Sequence, residues 1–179
     1  MTAVSRLSAA EVLAHAEELA GLLADTVDGG ASVGFLAPLD RASATAWWEG
    51  RAAGVSAGHL AVWVARGADR VLGTIGLAFA DKPNSRHRAE LVKLMVHPDG
   101  RGRGVGRALL TTAERAAVEA GVTLLHLDTE TGSPAEILYL SAGWTPLGAI
   151  PDYATTPTGV LHPTTIFYKR VGEAAAAAT

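Results

Sequence analysis

The chain has 179 residues, of which 49% are hydrophobic and 18% charged, a balance that suits one folded domain with a sizeable core rather than a disordered chain. Its formal net charge of −3 supplies no basic surface for DNA or RNA, which argues against nucleic-acid binding as the main role. The absence of cysteine removes disulfides, thiolate metal sites and a cysteine nucleophile together. The N-terminal stretch lacks a basic segment followed by an apolar run, and no apolar run reaches the length of a membrane span. The expectation is a cytoplasmic protein with no membrane partner.

In chain order, Ser8 to Glu11 form a capping box, and Val12, Ala16, Leu19, Ala20, Leu23 and Val27 recur at helical spacing until Gly29-Gly30. Gly34 to Pro38 reads as a loop, and Asp40 caps a second helix through Trp47-Trp48 to about Ala53. Leu60 to Arg66 and Val71 to Ala80 are β-rich runs around the turn Gly67-Ala68-Asp69, an antiparallel hairpin. A strand is expected over Ala89 to His97, then a helix marked by Val105, Leu109, Ala113, Ala116, Ala117 and Ala120 and ended by Gly121. Val122 to Asp128 is apolar on both faces, as a central parallel strand is. Ser133-Pro134-Ala135-Glu136 opens a helix with Pro at its first position, and Gly143 ends it. Trp144 to Ile150 reads as a broken strand, Pro151 to Pro163 as a long loop, and Thr164 to Val171 as the final strand. The expected order, α-α-β-β-β-α-β-α-β-β, describes an α/β (α+β mixed) fold with a central mixed sheet flanked by helices. One domain is expected over 1–172, and Glu173 to Thr179 as a frayed Ala-rich tail.

The chemistry is concentrated in Val96 to Arg107, which holds four glycines and three arginines. A Gly-rich loop that opens a helix exposes backbone N–H groups where the helix dipole adds positive charge, and arginines add forked, permanently charged donors. This is a site for the phosphates of a nucleotide-like cofactor. A dinucleotide fold is a serious rival, since strand, Gly loop, helix and a second strand ending in Asp128 mimic its first unit. Against it, position 107 is arginine where a third close-packing glycine is wanted, Pro98 to Arg101 lengthens the turn, and the chain has no second βαβ half. A P-loop fails because no Gly-Lys-Ser/Thr follows.

Arg101-x-x-Gly104-x-Gly106 after Val96-His97-Pro98 resembles the pyrophosphate loop of the GNAT superfamily of acetyl-CoA-dependent N-acetyltransferases. Ala135 to Trp144 resembles that superfamily's A-x-x-x-Y-x-x-x-G-F/W helix, at the expected separation. Within the superfamily the chain is similar to tabtoxin-resistance-type acetyltransferases at 30–35, Lys93 to Val96, Leu124 to Glu130 and Leu161 to Thr164. The resemblance implies acetyl-CoA as co-substrate, held by Met95, Val96, Arg101, Gly102, Arg103, Gly104, Val105, Gly106 and Arg107. For Arg107 a solvated helix face is the equal alternative.

Acetyl transfer to an amine has three demands. An alkyl ammonium, with a pKa of roughly 10, must lose its proton. The thioester oxygen needs a donor as charge builds on it. The leaving thiolate needs a proton, or tolerance as an anion. Glu90, the one acid in an apolar and basic stretch, is the first candidate base; a salt bridge to Arg86, Arg88 or Lys93 is its alternative. Asp128 shares that role, binds the substrate ammonium, or caps the turn at Thr129 to Gly132. The resemblance makes Tyr139 the group that protonates the departing sulfur, where the residues alone suggest core packing. It makes the backbone N–H of Val96 the oxyanion donor.

Ser32, Phe35, Asp152, Tyr153 and His162 are the candidate acceptor wall, for a small-molecule amine such as an amino-acid-like toxin or antibiotic. Trp47 or Trp48 could line it, with core packing the simpler reading. Histidine spacing supports no metal site. A non-catalytic acyl-CoA-binding or sensor protein on the same fold is the alternative function, and an NAD-dependent oxidoreductase a third. Oligomeric state and the identity of the amine are not legible in the sequence.

Overall fold

Two runs of branched and small apolar residues, Leu60–Arg66 (β2) and Val71–Phe79 (β3), pair antiparallel as their pattern predicts. The computed structural model, which describes residues 3–172, builds a seven-stranded sheet around them. The other strands are Ala3–Leu7 (β1), Arg88–Val96 (β4), Leu124–Glu130 (β5), Thr145–Thr155 (β6) and Leu161–Arg170 (β7). Their order across the sheet is β1-β2-β3-β4-β5-β7-β6. The β4–β5 pair is parallel and the other neighbours run antiparallel.

Helices cover both faces. Val105–Glu119 (α5) and Pro134–Ser141 (α6) pack one face, where Leu91, Leu109, Leu125, Leu127, Tyr139 and Phe167 are buried together. Ala9–Ala14 (α1), Ala16–Asp28 (α2), Arg41–Glu49 (α3) and Ala52–Ser56 (α4) cover the other face from β1 to the end of β4, over Val62, Val64 and Met95. Phe167 is fully buried, with its ring 6.0 Å from that of Tyr139. Phe167→Ala is expected to cost about 3–5 kcal/mol of stability, through lost burial and the cavity left beneath α6; urea unfolding monitored by circular dichroism measures it.

The expected elements are present with five corrections. A short edge strand, β1, precedes the Ser8 capping box. The first helix breaks at His15, and the second at Gly50-Arg51. The fifth strand starts at Leu124 rather than Val122 and has a parallel neighbour on one side only. The largest correction is at 151–163. The expected long loop is instead the end of β6, a tight turn and the start of β7, so Asp152, Tyr153 and His162 lie in strands. β6 is an edge strand, where prolines are tolerated because no outer partner needs their missing N–H. Its pairing with β7 slips between Ile150 and Ala154, and Asp152 takes a positive φ of 52° in that bulge. The tail Glu173 to Thr179 lies outside the described residues.

Candidate active site

The site is built on a gap in the sheet. β4 and β5 pair only from Arg88↔Leu124 to Glu90↔His126, and beyond that point neither strand partners the other. β4 runs on to Val96 and β5 to Glu130, so the two diverge and leave an opening between them. The N–H groups of a strand point alternately to its two sides. The amide of His97 donates to Leu72 O on the β3 side (2.8 Å). The preceding amide, Val96 N–H, therefore faces the opening, where the sheet supplies no acceptor.

A bulge in β4 shapes the same place. The register with β3 jumps from Gly76↔Val92 to Thr74↔Met95, so Lys93 and Leu94 together face Ile75. Lys93 takes a left-handed φ of 52°, uncommon for a long side chain. The bulge resets the alternation: Leu91 packs under α5, whereas Met95, four residues later, packs under α2. Met95 is only 2% exposed, so of the two strand residues expected at the cofactor it is Val96 whose backbone reaches the gap.

At the end of β4, Pro98–Gly100 forms one 3-10 turn and the glycine loop follows. Gly102 and Gly104 both have positive φ (69° and 76°), which L side chains rarely adopt. Gly104 is the N-cap of α5 and offers no side-chain acceptor, so the first N–H groups of that helix lack a capping side chain and are available to an anion. Val105 is buried as the anchor of the turn. Gly106 lies against Leu138, where a Cβ would come within 3.2 Å of the leucine side chain. Arg101, Arg103 and Arg107 are exposed. Arg103 donates to Asp99 O (3.2 Å) and Arg107 to Ser141 Oγ on α6 (2.6 Å), which leaves Arg101 as the arginine of this loop without a protein partner among the described residues.

Glu90 and Asp128 lie on the same face of the sheet. Glu90 is paired with His126, and Asp128 is two residues further along β5, so strand alternation puts all three side chains on the side opposite α5 and α6. Glu90 is half-buried. The salt bridge that was its alternative is not formed: Arg88 turns to His126 (Nη1···Nε2 3.4 Å), and Glu90 enters none of the ion pairs among the described residues. Asp128 does not cap the following turn either. Glu136 accepts from Gly132 N (2.6 Å), and Ser133 caps α6. Glu136 also accepts from Thr165 Oγ1 (2.6 Å), clamping the turn that fixes α6. Sequence reasoning read it only as part of a helix start.

Tyr139 is 5% exposed, on the α6 face of the sheet, with its ring 5.7 Å from that of Trp144. Burial, with the nearby Asp128 charge adding to it, pushes the phenol pKa well above its usual value, so the hydroxyl keeps its proton.

The two segments of the candidate acceptor wall are in contact. Ser32 Oγ donates to Thr155 O at the end of β6 (3.3 Å), and Ala37 N to Pro157 O (2.8 Å), so the loop after α2 is tied to the β6–β7 hairpin. Phe35 packs edge-on to Trp47 (5.4 Å). His162 Nδ1 lies 3.0 Å from Glu130 Oε1 at the end of β5. Asp152 and Tyr153 are exposed in the outer bulge. Trp48 is core, whereas Trp47 is half-buried.

Lys93 is the functional candidate that sequence reasoning missed. Its Nζ donates to Val33 O (2.8 Å) and sits 5.7 Å from the Phe35 ring and 5.5 Å from the Trp47 ring. Burial lowers its pKa, while the charges of Asp128 and Glu90 pull the other way. Its only sequence signal was a cation among the apolar residues of the second half of β4. Among the described residues no cluster of three or more acidic or histidine side chains could hold a metal, and no described helix is long and apolar enough to cross a membrane.

The model of the Acetyltransferase (GNAT) family matches residues 28–144, and the chain belongs to that family. It is similar to N-acetyltransferase 8B of Rattus norvegicus, 34% identical over 88 residues, which cover 48% of this chain and 40% of the relative. The chain thus spans less than half the length of the curated relatives it matches. Among solved structures, yncA of Salmonella typhimurium, a putative acetyltransferase determined with its cofactor acetyl-CoA, aligns with a TM-score of 0.75 at 21% identity, covering 96% of this chain and 95% of that one. The ribosomal-protein-alanine N-acetyltransferase of Brucella melitensis aligns with a TM-score of 0.73 at 24% identity, covering 94% and 99%. At these identities the alignments establish a shared fold.

Proposed function

We propose that this chain transfers an acetyl group from acetyl-CoA to a primary amine of a small molecule, by direct attack of the amine on the thioester. The observation that carries the reading is the juxtaposition at the gap between β4 and β5. An uncapped, glycine-bounded helix start lies at one end of it, a free strand amide faces it, and two carboxylates stand on one side with a protonated tyrosine on the other. The family membership and a fold neighbour holding acetyl-CoA support the same assignment.

The loop from Arg101 to Arg107 binds the phosphates through the first amides of α5 and the Arg101 guanidinium. Val96 N–H donates to the thioester oxygen as negative charge builds there. Glu90, with Asp128 beside it, takes the proton of the incoming ammonium directly or through a water. As the new C–N bond forms and the C–S bond breaks, Tyr139 Oη–H gives its proton to the departing sulfur, and the second proton released by the nitrogen returns to the tyrosinate through water, so that amide and thiol both leave neutral. The resemblance of four segments to tabtoxin-resistance-type acetyltransferases supports an amino-acid-like acceptor, and the protein works in the cytoplasm as one catalytic domain.

A CoA-release assay over amines, antibiotics and peptides tests the reaction, and calorimetry with acetyl-CoA and with NAD tests the ligand. Acetyl-CoA binding without transfer to any amine would favour the acyl-CoA-binding alternative, and NAD binding without CoA binding would reject the reading. Gly104→Asp is expected to weaken acetyl-CoA binding at least about tenfold. It forces an L residue to a φ of 76° and puts a negative charge where phosphates bind. Titration calorimetry measures the change.

A further inference from the structure

We infer that Lys93 and Arg51, lying 5.5 Å and 4.8 Å from the Trp47 ring centroid, form an anion-binding subsite, and that the acceptor is an amine that also carries a carboxylate. This rests on the reading above, in which the amine approaches Glu90 and Asp128.

The bulge supplies the first argument. In a regular strand Lys93 would alternate with Val92 and share the face of Leu91, under α5. The left-handed turn at Lys93 instead sends it to the face of Phe35 and Trp47. Glycine or asparagine would take that φ more readily than lysine, so the strained backbone is spent on aiming a cation.

The second argument is what that cation lacks. An ammonium has three donors, and Lys93 uses one on Val33 O. Among the described residues no carboxylate is in ion-pair range of Nζ. Two donors therefore remain, on a charge whose hydration the two rings and the Val33 strap restrict. Arg51 lies with its guanidinium carbon 4.8 Å from the Trp47 ring centroid and is likewise without an acidic partner. The aromatic groups are thus already occupied by the protein's own cations. What this arrangement lacks is an anion, not the ammonium of a substrate.

The third argument is polarity. The carboxylates Glu90 and Asp128 stand on the β4–β5 side, and Lys93 and Arg51 on the side of the α2–α3 loop and α3. A zwitterionic acceptor satisfies both ends at once, with its ammonium at the carboxylates and its own carboxylate at the cations. That pairing also fixes which nitrogen faces the thioester.

The test compares each of L-methionine, L-lysine and L-phenylalanine with its own carboxamide as acceptor, in the wild-type protein, Lys93→Met, Lys93→Arg and Arg51→Gln. Intrinsic differences in amine reactivity cancel when the acid-to-amide ratio of kcat/KM is compared between variants. Lys93→Met is expected to lower that ratio about 10–100-fold, chiefly through the KM of the acid, as loss of a hydrogen bond to a charged group does. Arg51→Gln is expected to lower it about threefold or more, and Lys93→Arg to keep it within about threefold of wild type.

An unchanged ratio in both Lys93→Met and Arg51→Gln, or an equal loss for acid and amide in Lys93→Met, makes Lys93 a strap for the Val33 loop and overturns the subsite. If Lys93→Met does not fold, Arg51→Gln at its exposed position decides by the same ratio. Failure of the parent reading shows separately, as a wild-type protein that releases CoA with no amine of either kind.

Discussion

Glu90→Gln is expected to lower kcat/KM for acetyl transfer about 10²–10⁴-fold near neutral pH, the usual cost of losing a general base. The amide is nearly isosteric and still accepts hydrogen bonds through its oxygen, so the packing of β4 against β3 and β5 is kept. What is lost is the capacity to take the ammonium proton. The size of the deficit therefore depends on how much acceptor arrives protonated. As pH rises toward the amine's own pKa of roughly 10, more amine arrives neutral and the deficit shrinks. Asp128→Asn separates two roles by the same measurement. If Asp128 shares the proton, its deficit shrinks with pH in the same way; if it holds the ammonium, the acceptor KM rises instead. A pH-independent deficit in both variants, with folding intact by circular dichroism, rejects carboxylate base catalysis and leaves positioning of amine and thioester as the source of rate.

The glycine loop and the Tyr139 helix were legible in the sequence because their physics is local. A glycine at positive φ, a Pro at the first turn of α6 and a stripe of small residues along α5 leave marks within a few positions of one another. The β2–β3 hairpin was legible for the same reason. β6 was legible only in its first half, as the broken strand Trp144 to Ile150, because Pro146, Gly148 and Pro151 break the usual alternation and a two-register bulge resets it. An edge strand tolerates all of these, and it is exposed from Thr145 to Tyr153. Reading 151–163 as a long loop followed from composition; the pairing with β7 shows otherwise.

The gap between β4 and β5 belongs to neither strand's sequence. β5 is apolar at Leu125 and Leu127, as a central strand should be. Its divergence from β4 after His126 appears only in the pairing. Lys93 illustrates the same limit at one residue. In sequence it is a cation near Glu90, one of three salt-bridge partners in the alternative to a catalytic Glu90. The backbone twist at Lys93 turns it away, toward a loop some sixty positions earlier. The contact that gives Lys93 its meaning is thus fixed by a bulge rather than by its neighbours. The same bulge turns Val96 N–H to the gap, so the proposed anion subsite and the proposed oxyanion donor share one irregularity in β4.

Tyr139→Phe is expected to lower kcat about 10²-fold or more while leaving the affinity for acetyl-CoA within about threefold. The ring remains, so its contacts with Trp144 and Phe167 remain, and stability should change little. Only the Oη–H is removed. The raised pKa of the phenol, caused by burial and by the Asp128 charge, means that the wild-type donor stays protonated throughout the range in which the protein is assayed. Because that donor is protonated over the whole range, the deficit of Tyr139→Phe should stay nearly constant with pH. Glu90→Gln should instead recover toward the pKa of the amine, so two pH profiles measured on one acceptor distinguish loss of the acid from loss of the base. If Tyr139→Phe turns over at the wild-type rate with an intact fold, the hydroxyl plays no part in the reaction and the ring serves α6 packing alone.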